Sequence, residues 1–157
     1  MRTLAEIQRT FLSAPRFAVV GASKDQAKFG TKVLRWYQAR ELDVTPVHPK
    51  EQELEGVKTV SQLSELPSPS ETSVSIITPP KVTLSILQAA QSLEVPALWL
   101  QPGAEDDSVK AYIKDTPGLE DKVILGGPCI LVQGDGVIKS ILADTKLKST
   151  KAESSNL

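Results

Sequence analysis

The sequence predicts an α/β fold built on a doubly wound, parallel five-stranded sheet with helices on both faces. Three observations predict it. Short apolar runs of three to six residues recur along the chain and suit strands buried on both faces. The segments between them carry apolar residues at helical spacing. Most of the runs end in Gly, Pro or small polar residues, the punctuation expected between a strand and the helix of a βαβ unit.

The chain opens with a helix over Thr3–Leu12. Thr3 and Glu6 have capping-box spacing, and Leu4, Ile7 and Phe11 share one face. Pro15 ends the connection, and Phe17–Gly21 is the first strand. Polar residues 23–28 lead into a helix over Gly30–Arg40, with Val33, Leu34 and Tyr37 turned inward. The second strand, Leu42–Val47, runs into His48-Pro49-Lys50, where Pro49 stops it. Residues 51–70 are polar, with one helical turn expected at Ser61–Leu66 and breaks at Pro67 and Pro69. The third strand is Ser73–Ile77. Thr78-Pro79-Pro80 opens the next helix, with Thr78 as its cap and a proline accommodated in the first turn. Val82, Ile86, Ala89 and Leu93 mark the apolar face of that helix. The fourth strand, Ala97–Leu100, is followed by the turn Gln101-Pro102-Gly103 and a helix over Asp106–Lys114. The fifth strand, Val123–Leu125, turns at Gly126-Gly127-Pro128. The apolar pieces Cys129–Val132 and Val137–Leu142 fit neither template. Residues 146–157 are polar and read as a flexible tail. Residues 1–145 then form one domain, with 1–13 as its N-terminal helix.

Composition narrows the function. The chain has 157 residues, the size of one ordinary domain. Its 18 basic and 19 acidic residues give a net charge of −1, without the basic excess that nucleic-acid binding normally shows. One Cys and one His exclude an intramolecular disulfide, a Cys-based zinc site and a His-rich metal site. Aromatics at 4% are too few for a stacking platform on single strands. The sequence has no apolar run of membrane-spanning length and no signal-peptide core, so the protein is expected in the cytoplasm.

In sheets of this class ligands bind beyond the carboxyl ends of the strands, where the strand order reverses. The informative loops are therefore Gly21–Gly30, Val47–Lys50, Ile77–Lys81, Gln101–Ala104 and Gly126–Cys129. The first is not G-x-G-x-x-G, because Ser23 stands in place of the second glycine. Gly21 lets the backbone turn tightly, Ser23 offers a hydroxyl and an N–H, and Gly30 lets the next helix approach the sheet. Lys24, Lys28 and Lys32 recur at four-residue spacing. The latter two fall near a helix N-terminus, where a cation opposes the macrodipole and an anion would relieve the conflict. Lys81 repeats the arrangement at the later helix. An NAD site wants an acidic residue after the second strand. Here Lys50 stands there instead and would welcome a phosphate on the ribose. This disfavours NAD and leaves NADP, coenzyme A or another phosphorylated adenosine ligand. His48 reads as a loop residue packing beside an adenine or capping the strand, in preference to a general acid or base.

The segments Val19-Val20-Gly21-Ala22-Ser23, Lys28-Phe29-Gly30, Val47-His48-Pro49-Lys50 and Trp99-Leu100-Gln101-Pro102-Gly103-Ala104, with the late Cys129, resemble the small CoA-binding-domain proteins. These are stand-alone Rossmann-like domains, similar to the nucleotide-binding domain of succinyl-CoA synthetase alpha subunits. The resemblance covers about residues 14–135 and implies a Rossmann-like fold with a site for coenzyme A. It implies that Gly21, Ala22, Ser23 and Lys28 face the phosphates. Pro49 and Lys50 would flank the adenosine 3′-phosphate, Ile77-Thr78-Pro79-Pro80 would line the path of the pantetheine, and Gln101 with Pro102 would close the far side. Two features depart from the family pattern. Gly126-Gly127-Pro128 precede the late Cys where charged residues are common, and the loop after the third strand is rich in proline. Cys129 could exchange with the thiol of coenzyme A; burial as a small hydrophobe is the commoner fate and the expectation here.

Three functional readings follow. The first is a binding module for coenzyme A or acyl-CoA with no chemistry, catalytic residues or metal of its own. The second is a small NADP-dependent oxidoreductase, permitted by Lys50. The third is an interaction subunit that keeps the fold and has lost the ligand. None involves nucleic acid or a membrane, and the sequence leaves open a protein partner or a homodimer.

Overall fold

The computed structural model describes residues 2–155, and the side chains of residues 2–145. In chain order the strands are β1 (Arg16–Val20), β2 (Val44–Val47), β3 (Glu53–Leu54), β4 (Val57–Lys58), β5 (Thr72–Ile76), β6 (Leu98–Leu100) and β7 (Val123–Ile124). The helices are α1 (Leu4–Leu12), α2 (Phe29–Ala39), α3 (Pro80–Ser92), α4 (Asp107–Asp115) and α5 (Ile130–Ser155). Five strands form one parallel sheet in the order β2-β1-β5-β6-β7. From β1 the chain moves outward to β2, then returns past β1 to β5. The strand order therefore reverses between β1 and β5, and the Rossmann-like α/β fold expected from the sequence is present.

Side chains alternate across the sheet with the two-residue period of a strand. Phe17, Val19, Trp99 and Ile124 face one layer, where they pack with residues of α1, α2 and α5. Ala18, Val20, Val74, Ile76, Leu98 and Leu100 face the other, with residues of α3 and α4. The serines of β5 belong to the first layer and are paired there. Ser73 Oγ donates to the Phe11 carbonyl at 2.7 Å, and Ser75 Oγ lies 2.7 Å from the Tyr37 hydroxyl. Burial pushes the Tyr37 hydroxyl far above the ordinary tyrosine range, an effect only partly offset by Ser75.

Thr3 caps α1, accepting from the Glu6 N–H at 3.2 Å, and Asp106 caps α4, accepting from Val109 at 2.9 Å. Four details differ from the sequence expectation. Thr78 does not cap α3: Pro79 holds that position, with Pro80 in the first turn, and Thr78 Oγ1 pairs instead with Thr83 Oγ1 at 2.7 Å. The face of α3 buried on the sheet is Thr83, Leu87 and Ala90, one residue on from the expected stripe, which leaves Val82 44% exposed. Within residues 51–70 a short 3-10 turn, Leu63–Glu65, lies inside the expected helical turn, but the β3–β4 hairpin there was not anticipated. The two unplaced apolar pieces lie on or beside one helix, α5. Its Gly134 is required, because a Cβ there would come within 2.4 Å of the Trp36 ring. The backbone of α5 continues to Ser155, so the expected tail begins inside this helix; its side chains and residues 156–157 lie outside the described residues.

Candidate functional site

At the reversal of strand order two loops touch. The Ile77 N–H donates to the Val20 carbonyl at 2.8 Å. Gly21, at φ +116°, passes so close that a Cβ would sit 1.9 Å from the Ile77 carbonyl oxygen. A Cβ at Gly30 would sit 2.2 Å from the Gly21 carbonyl oxygen. Both glycines are thus required by close backbone approach, Gly21 by its turn as well. Ala22 is buried beside them.

The rest of this loop is tied to itself and to α2. Ser23 donates its N–H to Thr31 Oγ1 at 3.1 Å and accepts the Thr31 hydroxyl proton on its carbonyl at 2.9 Å. Ser23 Oγ accepts from the Asp25 N–H at 3.2 Å. The N–H that the sequence offered to a ligand is therefore engaged by Thr31 of α2. Lys28 occupies the cap position of α2, is exposed, and supplies no side-chain cap. The first turn of α2 also lacks an acidic residue, so its N-terminal N–H groups and Lys28 together present a positive edge. The other lysines do not gather there as the spacing suggested. Lys24 pairs with Glu51 at 3.1 Å, and Lys32 lies beside Arg35 and Trp36 in a separate hollow.

Beyond β2, His48 organises the turn. Its Nδ1 accepts from the Lys50 and Glu51 N–H groups, both at 3.0 Å. This is the capping role expected of it, and it commits that ring nitrogen. Two adjoining hollows follow, with Pro49 on the border of both and Lys50 on that of the second. One is an apolar groove of about 340 Å³, floored by Val20 and Val47 and walled by Pro49, Val82 and Ile86. The other is a polar hollow of about 450 Å³, where His48, Lys50 and Lys58 meet Glu51 and Glu65. Pro49 and Ser61 border both. Two hydrogen bonds from Ser61, the backbone N–H foremost and then the hydroxyl, each at 2.9 Å, hold the Glu65 carboxyl below the usual carboxylate range. Val82, Ile86, Lys58 and Glu65 were not anticipated at the site. The apolar stripe Val82-Ile86-Ala89 is a usable signal, although by spacing alone it reads as core.

The far side is built around α5. Thr78 is half-buried, Pro79 exposed and Pro80 half-buried at the start of α3, and Pro102 is exposed. Gln101 is completely buried; its Oε1 accepts from the Ile130 N–H at 3.0 Å, while its Nε2 has no partner. Gln101 thus holds the N-terminus of α5 against the end of β6. Cys129 immediately precedes α5, and its carbonyl accepts from the Val132 and Gln133 N–H groups. It is half-buried, not buried as expected. The loop before it is anchored by the Gly126 N–H on Glu105 Oε1 at 2.7 Å and by Trp99 Nε1 on the Pro128 carbonyl at 3.0 Å.

Among the described residues no cluster of three His, Cys, Asp or Glu could hold a metal, and no helix is long and apolar enough to cross a membrane. The residues do fit an adenosine ligand with several phosphates. The apolar groove suits a flat base, Lys50 and Lys58 lie next to it, and the uncapped α2 terminus with Lys28 suits a pyrophosphate.

Fold and geometry together define a doubly wound, Rossmann-like domain with its candidate site at the strand reversal. The CoA binding domain family matches residues 15–135, and the chain belongs to that family. It is similar to the uncharacterized protein YneT of Bacillus subtilis (strain 168), with 26% identity over 111 residues, 71% of this chain and 82% of that protein. It is also similar to the solved structure of a conserved hypothetical protein from Pyrococcus furiosus, with 32% identity, a TM-score of 0.67, and 75% and 97% of the two chains covered. The acetyl-coenzyme A synthetase 1 of Ca. Korarchaeum cryptofilum, solved with phosphate and ADP, shares the fold. That match has a TM-score of 0.61 at 23% identity, over 72% of this chain and 25% of the synthetase. The family match gives the NADP reading no support.

Proposed function

We propose that the protein is a cytoplasmic binding module for coenzyme A or an acyl-CoA, without chemistry of its own. The observation that carries this reading is the pairing of an apolar groove with a lysine-bearing hollow at the ligand edge of a CoA-binding-family fold. The adenine occupies the groove between Pro49, Val82 and Ile86. The 3′-phosphate lies towards Lys50, and the pyrophosphate meets Gly21, Ala22, Ser23 and Lys28 at the start of α2. The pantetheine arm then runs over Thr78, Pro79 and Pro80 towards Gln101 and Pro102. Three polar side chains at this edge support binding over catalysis, because they are spent on holding the structure around them. His48 fixes the turn after β2, Ser23 fixes the first loop and Gln101 fixes α5.

Thermal unfolding with added ligand tests the reading. Coenzyme A at a hundred times its dissociation constant should stabilise the native state by about 2.7 kcal/mol and raise the midpoint accordingly. An unmoved midpoint with saturating coenzyme A, alongside a rise with NADP, would overturn it.

A further inference from the structure

The polar hollow takes its two lysines from different segments. Lys50 belongs to the turn after β2, and Lys58 to β4. The hairpin that carries Lys58 is firmly placed. Glu55 and Gly56 both have positive φ, 49° and 78°, as a tight two-residue hairpin turn requires. Leu54 is 2% exposed and anchors the hairpin in the core. Gln38 Nε2 donates to the Glu55 carbonyl at 2.8 Å, tying the turn to α2. Beyond Lys58, the Val60 carbonyl accepts from the His48 N–H at 2.9 Å, which binds this segment to the end of β2.

The charges of the hollow are unevenly committed. Glu51 pairs with Lys24 across the first loop, and both oxygens of Glu65 are taken by Ser61. Glu53 is the cross-strand neighbour of Lys58, yet the two form no ion pair. Among the described residues neither Lys50 nor Lys58 has a carboxylate within ion-pair distance. Two ammonium groups therefore border one hollow whose carboxylates are engaged elsewhere. A dianion placed between them satisfies both.

We propose that Lys58 is a specificity-determining residue of the coenzyme A site. With Lys50 it forms a two-point cradle for the phosphate on the ribose 3′-oxygen, and the β3–β4 hairpin is thereby part of the site. The inference rests on the coenzyme A reading above. With the base in the apolar groove, the ribose falls at the seam bordered by Pro49 and Ser61, and its 3′-substituent is directed into the hollow. A ligand without that phosphate leaves both ammonium groups uncompensated, so the hollow selects for the phosphate as well as holding it.

Titration calorimetry with coenzyme A and with 3′-dephospho-coenzyme A tests this on the wild type, Lys58→Gln, Lys58→Arg and, as a distant charge control, Lys110→Gln. The wild type should prefer coenzyme A by about tenfold. Lys58→Gln should reduce that preference about fivefold, the upper end for an exposed ion pair, and leave the affinity for the dephospho form unchanged. Lys58→Arg should restore the preference, and Lys110→Gln should keep it. Rising salt should erode the preference in the wild type. Equal binding of both ligands by the wild type, or a Lys58→Gln variant that keeps the full preference or weakens both ligands alike, overturns the role of Lys58 and leaves the coenzyme A reading standing. A wild type that binds neither ligand overturns both.

Discussion

The two faces of the sheet are built from different side chains. The face covered by α1, α2 and α5 holds six of the seven aromatic residues: Phe11, Phe17, Phe29, Trp36, Tyr37 and Trp99. They interlock: Phe11 meets Trp99 edge-on at 5.4 Å, Phe17 lies 5.0 Å from Tyr37, and Trp36 meets Tyr37 edge-on at 5.1 Å. The face covered by α3 and α4 is aliphatic and holds only Tyr112. On that side α3 turns Thr83 and Leu87 onto the sheet. Val82 and Ile86, beside them, form one wall of a groove over Val20 and Val47. One face is thus closed by interlocked rings, and the other keeps open apolar surface at the candidate site. Aromatic rings bury large areas in fixed relative orientations. Smaller aliphatic side chains leave room for a groove beside the buried row of the helix.

The largest effect that would sharpen this contrast comes from the closed face. Phe11 is fully buried and touches both Phe17 and Trp99. Phe11→Ala should cost about 3–5 kcal/mol in urea unfolding, through lost burial and the cavity left behind. The fraction that remains folded should bind coenzyme A with wild-type affinity. A loss below about 1 kcal/mol would show that this face is not the stabilising one.

A smaller effect comes from the polar pair on the same face. Ser75→Ala leaves the buried Tyr37 hydroxyl without its partner and should cost about 1–3 kcal/mol near neutral pH. The pair also has a pH signature. Burial raises the Tyr37 pKa above its unfolded value, so above about pH 10 the native state holds a proton that the unfolded chain has lost. Stability should therefore be full below about pH 10 and fall as pH rises beyond it. The decline should persist in Ser75→Ala, because that hydrogen bond lowers the pKa and desolvation raises it. Tyr37→Phe should abolish the part of the alkaline decline that Tyr37 causes.

The same contrast explains what was legible in the sequence. The five core strands announce themselves as apolar runs, and the ends of those strands point to Gly21, Pro49 and Gln101 before any coordinates. The face of α3 does not announce itself, because both Val82-Ile86-Ala89 and Leu87-Ala90 lie at helical spacing. Only the sheet decides which stripe is buried, and it takes the second. Lys58 and Glu65 reach the site on a two-residue hairpin and a single 3-10 turn, elements too short to carry a period. The helix α5 was hidden by Gly134 and Gly136, residues of poor helix propensity, the first of which is demanded by Trp36. The sequence places Gln101 in the turn after the fourth strand, and the structure buries it there completely. What the sequence could not supply was its hydrogen bond to Ile130, which makes it a strut for α5.

The smallest effect on stability should accompany a large effect on binding, and it falls on the open face. Val82 is the third residue of α3 and is 44% exposed, so an aspartate there buries little charge in the free protein. A carboxylate in the first turn also interacts favourably with the helix N-terminus. Val82→Asp should therefore change the unfolding free energy by no more than about 0.5 kcal/mol. In the proposed placement the base lies against that wall and would have to desolvate the new charge, so coenzyme A affinity should fall more than about tenfold. Calorimetry and urea unfolding on the same preparation separate the two quantities. Wild-type affinity in Val82→Asp would remove the groove from the site. A stability loss approaching that of Phe11→Ala would mean that the Val82 side chain belongs to the core, and the division of labour between the two faces would fail.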